Sequence, residues 1–187
     1  MRFLVVGEMY WAENYSHNVL HLDKEKWVDI SMDFIKFKEE VNILDKKRGI
    51  ELRKKYIENF VNTEHKRYKE QIQKQHKFVD GFCYLGYLWD YIKNPIVINE
   101  EKFEKKANKI EEIYTFWDIH SCERIWIKDY WKFDKDAMLK LKMDVLLQGE
   151  KYLPEDIYIF DDSFTWTLIE THEDIQGVRF CLQSGEI

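Results

Sequence analysis

The sequence predicts an α+β fold, a helical N-terminal half packed with a mixed C-terminal half that ends in an antiparallel β-meander. Apolar residues between Trp27 and Val79 recur every three or four positions, the spacing of one helix face. The stretch Leu153–Leu182, LPEDIYIFDDSFTWTLIETHEDIQGVRFCL, instead mixes β-branched and aromatic residues in short runs. Two polar breaks, Asp161–Ser163 and Thr171–Gly177, cut that stretch into three strands.

Composition narrows the class. The 187 residues are 45% hydrophobic and 34% charged, enough for a core and incompatible with global disorder. Aromatics reach 16% against only 7 Gly and 2 Pro, so large flat side chains must build the interior. No apolar run approaches the ~20 residues of a membrane span, and the opening MRFLVVGEMYW lacks a signal-peptide core and cleavage site. Cys83, Cys122 and Cys181 are odd in number and widely spaced, which argues against a disulfide framework and places the chain in a reducing cytoplasm. The net charge of −6 is unevenly spread. Bases dominate Lys36–Lys77, whereas beyond Asp144 only Lys151 and Arg179 offset a long run of carboxylates. Such an acidic end repels nucleic acid and attracts basic partners.

Taken in order, Phe3–Val6 is expected as a strand and Glu8–Leu22 as a short helix. Trp27–Leu44 presents Ile30, Phe34, Phe37, Val41 and Leu44 on one helix face, and Asp45–Gly49 is a charged break. Ile50–Val79 reads as one long amphipathic helix, with no internal Pro or Gly, ended by Asp80-Gly81. Phe82–Ile92 is a buried helix or strand, and Asn94-Pro95 a turn. Asn99 can cap a helix through Glu112, followed by a strand at Ile113–Ile119 and a short one at Arg124–Tyr130. Asp134 can cap a helix through Leu146 with Met138, Leu141 and Val145 inward, closed by Gln148-Gly149 before the meander. One domain spanning 1–187 is expected, with Asp80-Gly81 separating a mainly helical subdomain 1–80 from an α+β subdomain 81–187.

Several constellations could carry chemistry. Glu13, His17 and His21 repeat every four residues, so a helix would align them, yet no glutamate adjoins the first histidine as a catalytic zinc helix requires. A solvated histidine pair is the simpler reading. His120-Ser121-Cys122 has poor zinc spacing. His172 and Glu173 follow the second meander strand and, with Asp161 and Asp162, could form a general base or a cation site; the simpler reading is turn and loop chemistry. His172, His17 and His21 are thus the metal candidates, and no cofactor is expected. Trp89-Asp90 and Trp117-Asp118 read as core tryptophans, and Cys181 as a buried thiol. Phosphate loops, nucleophile elbows and paired CxxC motifs are missing from the sequence.

The residues Leu153–Asp161, then Ser163-Phe164-x-Trp166-Thr167, Thr171-His172-Glu173 and Cys181, resemble a family of small bacterial proteins known as a domain of unknown function. Trp89-Asp90 and Trp117-Asp118 are similar to weaker upstream motifs of that family, so the resemblance covers roughly 82–182. It implies a bacterial cytosolic origin and an α+β fold, with no activity to carry over. By analogy, such small proteins look like toxin-immunity proteins. The function expected is a non-catalytic immunity- or antitoxin-type inhibitor that binds a basic toxin, such as a nuclease, and neither nucleic acid nor membrane. Its partner surface would comprise Asp161, Asp162, Trp166, Glu170, Glu173 and Asp174. The alternative is a metal-dependent hydrolase using His172, Glu173, Asp161 and Asp162. A scaffold that dimerises through the long Ile50–Val79 helix is a third reading.

Overall fold

The computed structural model describes residues 34–125, 127–175 and 178–187. The chain divides after Lys36 into two units, and the sheet with its covering helices belongs to the second, Phe37–Ile187. The expected strand Phe3–Val6, the helix Glu8–Leu22 and the opening of the Trp27–Leu44 helix lie outside the described residues. Residues 37–40 are helical, but Asn42–Ile43 pairs as a short strand, β1.

Asp45 does not break the chain. Its carboxylate accepts from the Arg48 backbone N–H at 3.0 Å and caps helix α1, Lys46–Phe60, with Gly49 inside it. The expected long helix stops at Val61, which turns extended (φ −107°, ψ 134°) and bridges to Ile92. The Asn62 and Lys93 N–H groups donate to the carbonyls of Tyr91 and Phe60, so a distant segment captures the backbone that further helix would have used. A short helix α2, Lys66–Tyr68, follows, widening to a π-turn over Lys69–Gln73. His76–Phe78 (β2) and Gly81–Cys83 (β3) then form a hairpin, where Gly81, at φ 111°, turns the chain rather than ending a helix. The dimerising scaffold thus loses its long helix.

A 3₁₀ turn at Leu88–Tyr91 leads to β4, Ile96–Ile98. Asn99 caps α3, Glu100–Ala107, by accepting from the Lys102 N–H at 3.1 Å. β5 is Glu112–Trp117, and no strand forms among the described residues of Arg124–Tyr130. In place of the expected Asp134–Leu146 helix come strand β6, Leu139–Lys142, and helix α4, Met143–Gly149. The alternation Leu139-Lys140-Leu141-Lys142 explains this, with the leucines buried and partners on both sides of the strand. β7 (Ile157–Phe160), β8 (Trp166–Ile175) and β9 (Val178–Gly185) are the predicted meander. β8 runs straight through the expected break at Thr171, with a register irregularity between Glu170 and Asp174.

One antiparallel sheet results, in the order β1-β6-β5-β7-β8-β9-β4. The α+β class therefore holds; within the expected helical half, the described residues form helix at 34–40, 46–60 and 66–73 together with the short strands β1 and β2. Pairing aligns Tyr114, Phe116, Tyr158, Phe160, Thr167, Ile169 and Leu182 on one face. The α1 residue Tyr56 packs there against Phe116, Tyr158 and Phe160 at ring separations of 4.9, 5.8 and 5.0 Å. Its hydroxyl meets Thr167 Oγ1 at 2.9 Å, and because Thr167 donates to the Ile159 carbonyl at 3.0 Å, Tyr56 is the donor. The opposite face, with Ile157, Ile159, Leu168 and Trp117, is equally dry.

Replacing Tyr56 with Ala is expected to cost about 3–5 kcal/mol, and with Phe about 1 kcal/mol, in denaturant unfolding. A Cβ on Gly149 would enter the Phe37 ring, so Gly149→Val should lower the midpoint more than Gly149→Ala does.

Candidate functional site

The N-terminal end of β7 gathers the buried polar groups. Trp117 of β5 pairs with Ile157, so the next residue on one strand, Asp118, faces the preceding residue on the other, Asp156. Ile157 also pairs with Glu170, which brings His172 to the same end. His120 follows two residues after Asp118. The Leu88–Tyr91 turn closes over the group. Leu88 N–H donates to Asp118 Oδ2 at 3.1 Å, and Tyr158 Oη donates to the same oxygen at 2.9 Å while accepting from Trp89 N–H at 2.9 Å. Asp156 Oδ1 accepts from Trp89 Nε1 at 2.9 Å, His172 N–H at 3.1 Å and His172 Nδ1 at 2.9 Å.

Two atoms of this cluster have no partner. Asp118, 1% exposed, leaves Oδ1 unpaired, and His120, 8% exposed, leaves Nε2 unpaired. One ligand-type atom from each of Asp118, His120 and Asp156 lies within 4.8 Å of the other two. Burial, followed by the charge of Asp156, pushes the Asp118 carboxyl up to about 8 against the hydrogen bonds from Leu88 and Tyr158 and the charge of Arg53. Burial pushes His120 down to about 4, so its imidazole is neutral at physiological pH. The hydrogen bond from His172 to Asp156 raises the His172 pKa, opposed by burial and assisted by Glu155 and Glu173. Arg53 supplies the nearby cation. Its guanidinium donates to the Trp117 carbonyl at 3.0 Å and lies 4.3 Å over Phe116, so this base of α1 points inward.

Above the cluster lies a surface of different character. Tyr87 and Trp89, both half-buried, stack with centroids 5.4 Å apart and planes 16° from parallel. His172 lies 4.6 Å from Tyr87, and Phe180 6.4 Å from Trp89. Beside them is a depression of about 330 Å³ lined by Glu150, Glu155, Glu170, Glu173 and Asp174 against Lys151 and Arg179. Asp90 has its pKa raised by burial and by Glu173 and Asp156, which places it in the same negative field.

The six residues expected to form one partner surface are divided between two ends of the sheet. Asp161 and Asp162 follow β7 at its far end, with four strand residues between Asp156 and Asp161, a span of about 17 Å. Asp161 is committed to its own turn, accepting from Ser163 N–H and Trp166 Nε1 at 2.9 Å each. Asp162 accepts from the Tyr114 hydroxyl at 3.1 Å. Trp166 is only 5% exposed and cannot serve as an exposed anchor. Glu170 is buried at 4% and ion-paired with Arg179 at 3.1 Å, while Arg179 also reaches Glu150. Glu173 and Asp174 alone of the six lie exposed at the His172 end. The same division separates His172 and Glu173 from Asp161 and Asp162, so the expected hydrolase cluster does not assemble. His17 and His21 lie outside the described residues.

Asp118 is the residue that sequence reasoning passed over. The signal was present as Asp118-Ile119-His120 at the end of a strand-like run, but it was divided between a tryptophan pair and a weak His-x-Cys motif. Cys181 is buried opposite Glu170, and burial pushes its thiol up to about 12, far from a nucleophile. Elsewhere, Asp80 ties the β2–β3 hairpin to the loops after β5 by accepting from Ser121 Oγ, Cys122 N–H and Lys135 Nζ, each at 2.8 Å. Comparison with protein-family models, with curated proteins and with solved structures found no match.

The cluster has a pH signature. The Asp118 carboxyl, raised above its unfolded value, gives stability present at low pH and lost as pH climbs towards about 8. The lowered His120 gives the opposite slope from about 4 to its ordinary value of 6.5, offsetting Asp118 there. The raised His172 adds to the loss above 6.5. The Glu170 carboxyl, raised to about 8 by burial and by Glu150, adds a loss of the same sign. Chelator-treated protein should therefore lose stability between about pH 6.5 and 8, and Asp118→Asn should remove the Asp118 share of that slope in urea titrations across the range and leave the Glu170 share.

Proposed function

We propose that this chain is a non-catalytic binding protein that captures a basic protein in the bacterial cytoplasm, in the manner of an immunity or antitoxin-type inhibitor of a toxin such as a nuclease. The observation that carries the reading is the stacked Tyr87–Trp89 pair beside the acid-lined depression of Glu155, Glu173 and Asp174. Half-exposed aromatics lose little conformational freedom on binding and supply anchor area. A surrounding negative field steers a cationic partner and fits its lysine or arginine side chains, which also sit well over aromatic faces.

This surface replaces the one expected around Trp166 and Glu170, whose burial removes them from a partner's reach. The depression holds five carboxylates and two bases, so a lysine or arginine entering it gains attraction without needing to displace a buried pair. The family resemblance in the meander points to the same bacterial setting.

The test is affinity capture from the native cells with the tagged wild-type chain, the double variant Glu155→Lys/Glu173→Lys, and a control Asp161→Lys/Asp162→Lys. One stoichiometric basic protein should be retained by the wild type and by the control. The first double variant should bind it at least about tenfold more weakly, equivalent to about 1.4 kcal/mol, with the wild-type complex weakening as salt rises. Retention indifferent to both charge reversals would refute this surface.

A further inference from the structure

We propose that Asp118, His120 and Asp156 form a binding site for one divalent first-row transition-metal ion, of the zinc or manganese class, set beneath the Tyr87–Trp89 surface. Each of the three offers a ligand-type atom within 4.8 Å of the others, and none of the three side chains is exposed. The two buried atoms that lack partners, Asp118 Oδ1 and His120 Nε2, are a carboxyl oxygen and an imidazole nitrogen, the two donor types such a cation takes up once their protons are released or moved. Buried polar atoms in folded proteins are almost always satisfied, so two orphans in one cluster call for an occupant.

The surrounding hydrogen bonds are those of a held ligand set. Leu88 N–H and Tyr158 Oη both bind Asp118 Oδ2, which fixes that carboxylate and leaves Oδ1 free. Asp156 is oriented by Trp89 Nε1 and by His172, whose Nδ1 also approaches Oδ2 at 3.1 Å. Carboxylates and imidazoles that orient one another in this way are the usual outer support of metal ligands. Charge supports the same conclusion. Two carboxyls side by side in a dry site resist ionising together, and a dication lets both do so. Donors bonded at about 2.1 Å stand about 3.4 Å apart in a tetrahedral site, so binding needs the cluster to contract by at most about 1.4 Å. Three protein ligands leave a fourth position, and entry is short. The half-buried Tyr87 ring lies 5.2 Å from His120 and 4.6 Å from His172, so the cluster sits one ring below solvent.

A buried water could satisfy the same two orphan atoms, and the experiment separates the two. Full-length protein is stripped with chelator and titrated calorimetrically with Zn²⁺ alone and with Mn²⁺ alone, and its melting temperature is followed. At least one of the metals should bind at one equivalent per chain and raise the melting temperature, because it binds the folded state preferentially. His120→Ala, and separately Asp118→Asn, which keeps the acceptor for Leu88 and Tyr158, should each weaken binding by about 100-fold or more. Circular dichroism establishes that each variant is folded, and either one that folds suffices. Failure of both metals to bind, or affinity unchanged in the folded variants, would overturn the site, as would loss of binding in His17→Ala/His21→Ala alone. Metal uptake is read on the isolated chain, so its failure leaves the partner surface untouched.

Discussion

The architecture depends on a strand that water reaches from neither side. β7 carries Ile157, Tyr158, Ile159 and Phe160, all buried, with Tyr158 and Phe160 facing α1 and the two isoleucines facing the other way. An ionised carboxylate within that run would be desolvated on both sides at a cost of several kcal/mol. Charge is therefore confined to the residues just before and just after it. Asp156 and Asp161 occupy those two positions, and each is held by a tryptophan indole N–H, from Trp89 and Trp166 respectively. The two ends have nonetheless diverged. At one the carboxylate completes a tight turn; at the other it joins a second buried aspartate and two histidines.

Tyr158 couples the core to that second end. Its ring stacks on Phe116 at 4.8 Å and 17°, inside the aromatic layer that α1 covers. Its hydroxyl, at the boundary of the same layer, bonds both Asp118 and the Trp89 backbone. The position of the Asp118 carboxylate is thus set by the packing of rings some distance away, and any shift of α1 across the sheet is transmitted to it. A polar site built on a packed aromatic layer is rigid at its base, while Tyr87 and His172 at its rim are not enclosed.

Much of the sheet was legible because its signals are local. The meander announces itself through β-branched and aromatic residues interrupted by Asp161-Asp162-Ser163, and Asn99 reads as a cap from sequence alone. What escaped was decided by distant partners. Met138, Leu141 and Val145 fit a helical stripe as well as Leu139 and Leu141 fit a strand, and pairing with β1 and β5 settled the matter. Nothing within Phe60–Thr63 forbids helix, but the Phe60 carbonyl accepts from Lys93 N–H and the Asn62 N–H donates to Tyr91, which claims that backbone. The site was harder still. Asp118, His120, Asp156 and His172 come from segments far apart in the chain, and only strand register brings them together.

The clasp formed by Asp80 has a consequence for chemical labelling. Cys83 and Cys181 are closed off from solvent, and Cys122 is the one exposed thiol of the three. The adjacent Asp80 carboxylate accepts a hydrogen bond from it and raises its pKa, holding it in the slowly reacting protonated form. A thiol-directed fluorophore would therefore reach one position on the folded chain, and would react there slowly while the clasp holds. Since that position is where hairpin and loops are tied together, the dye would report the release of the clasp.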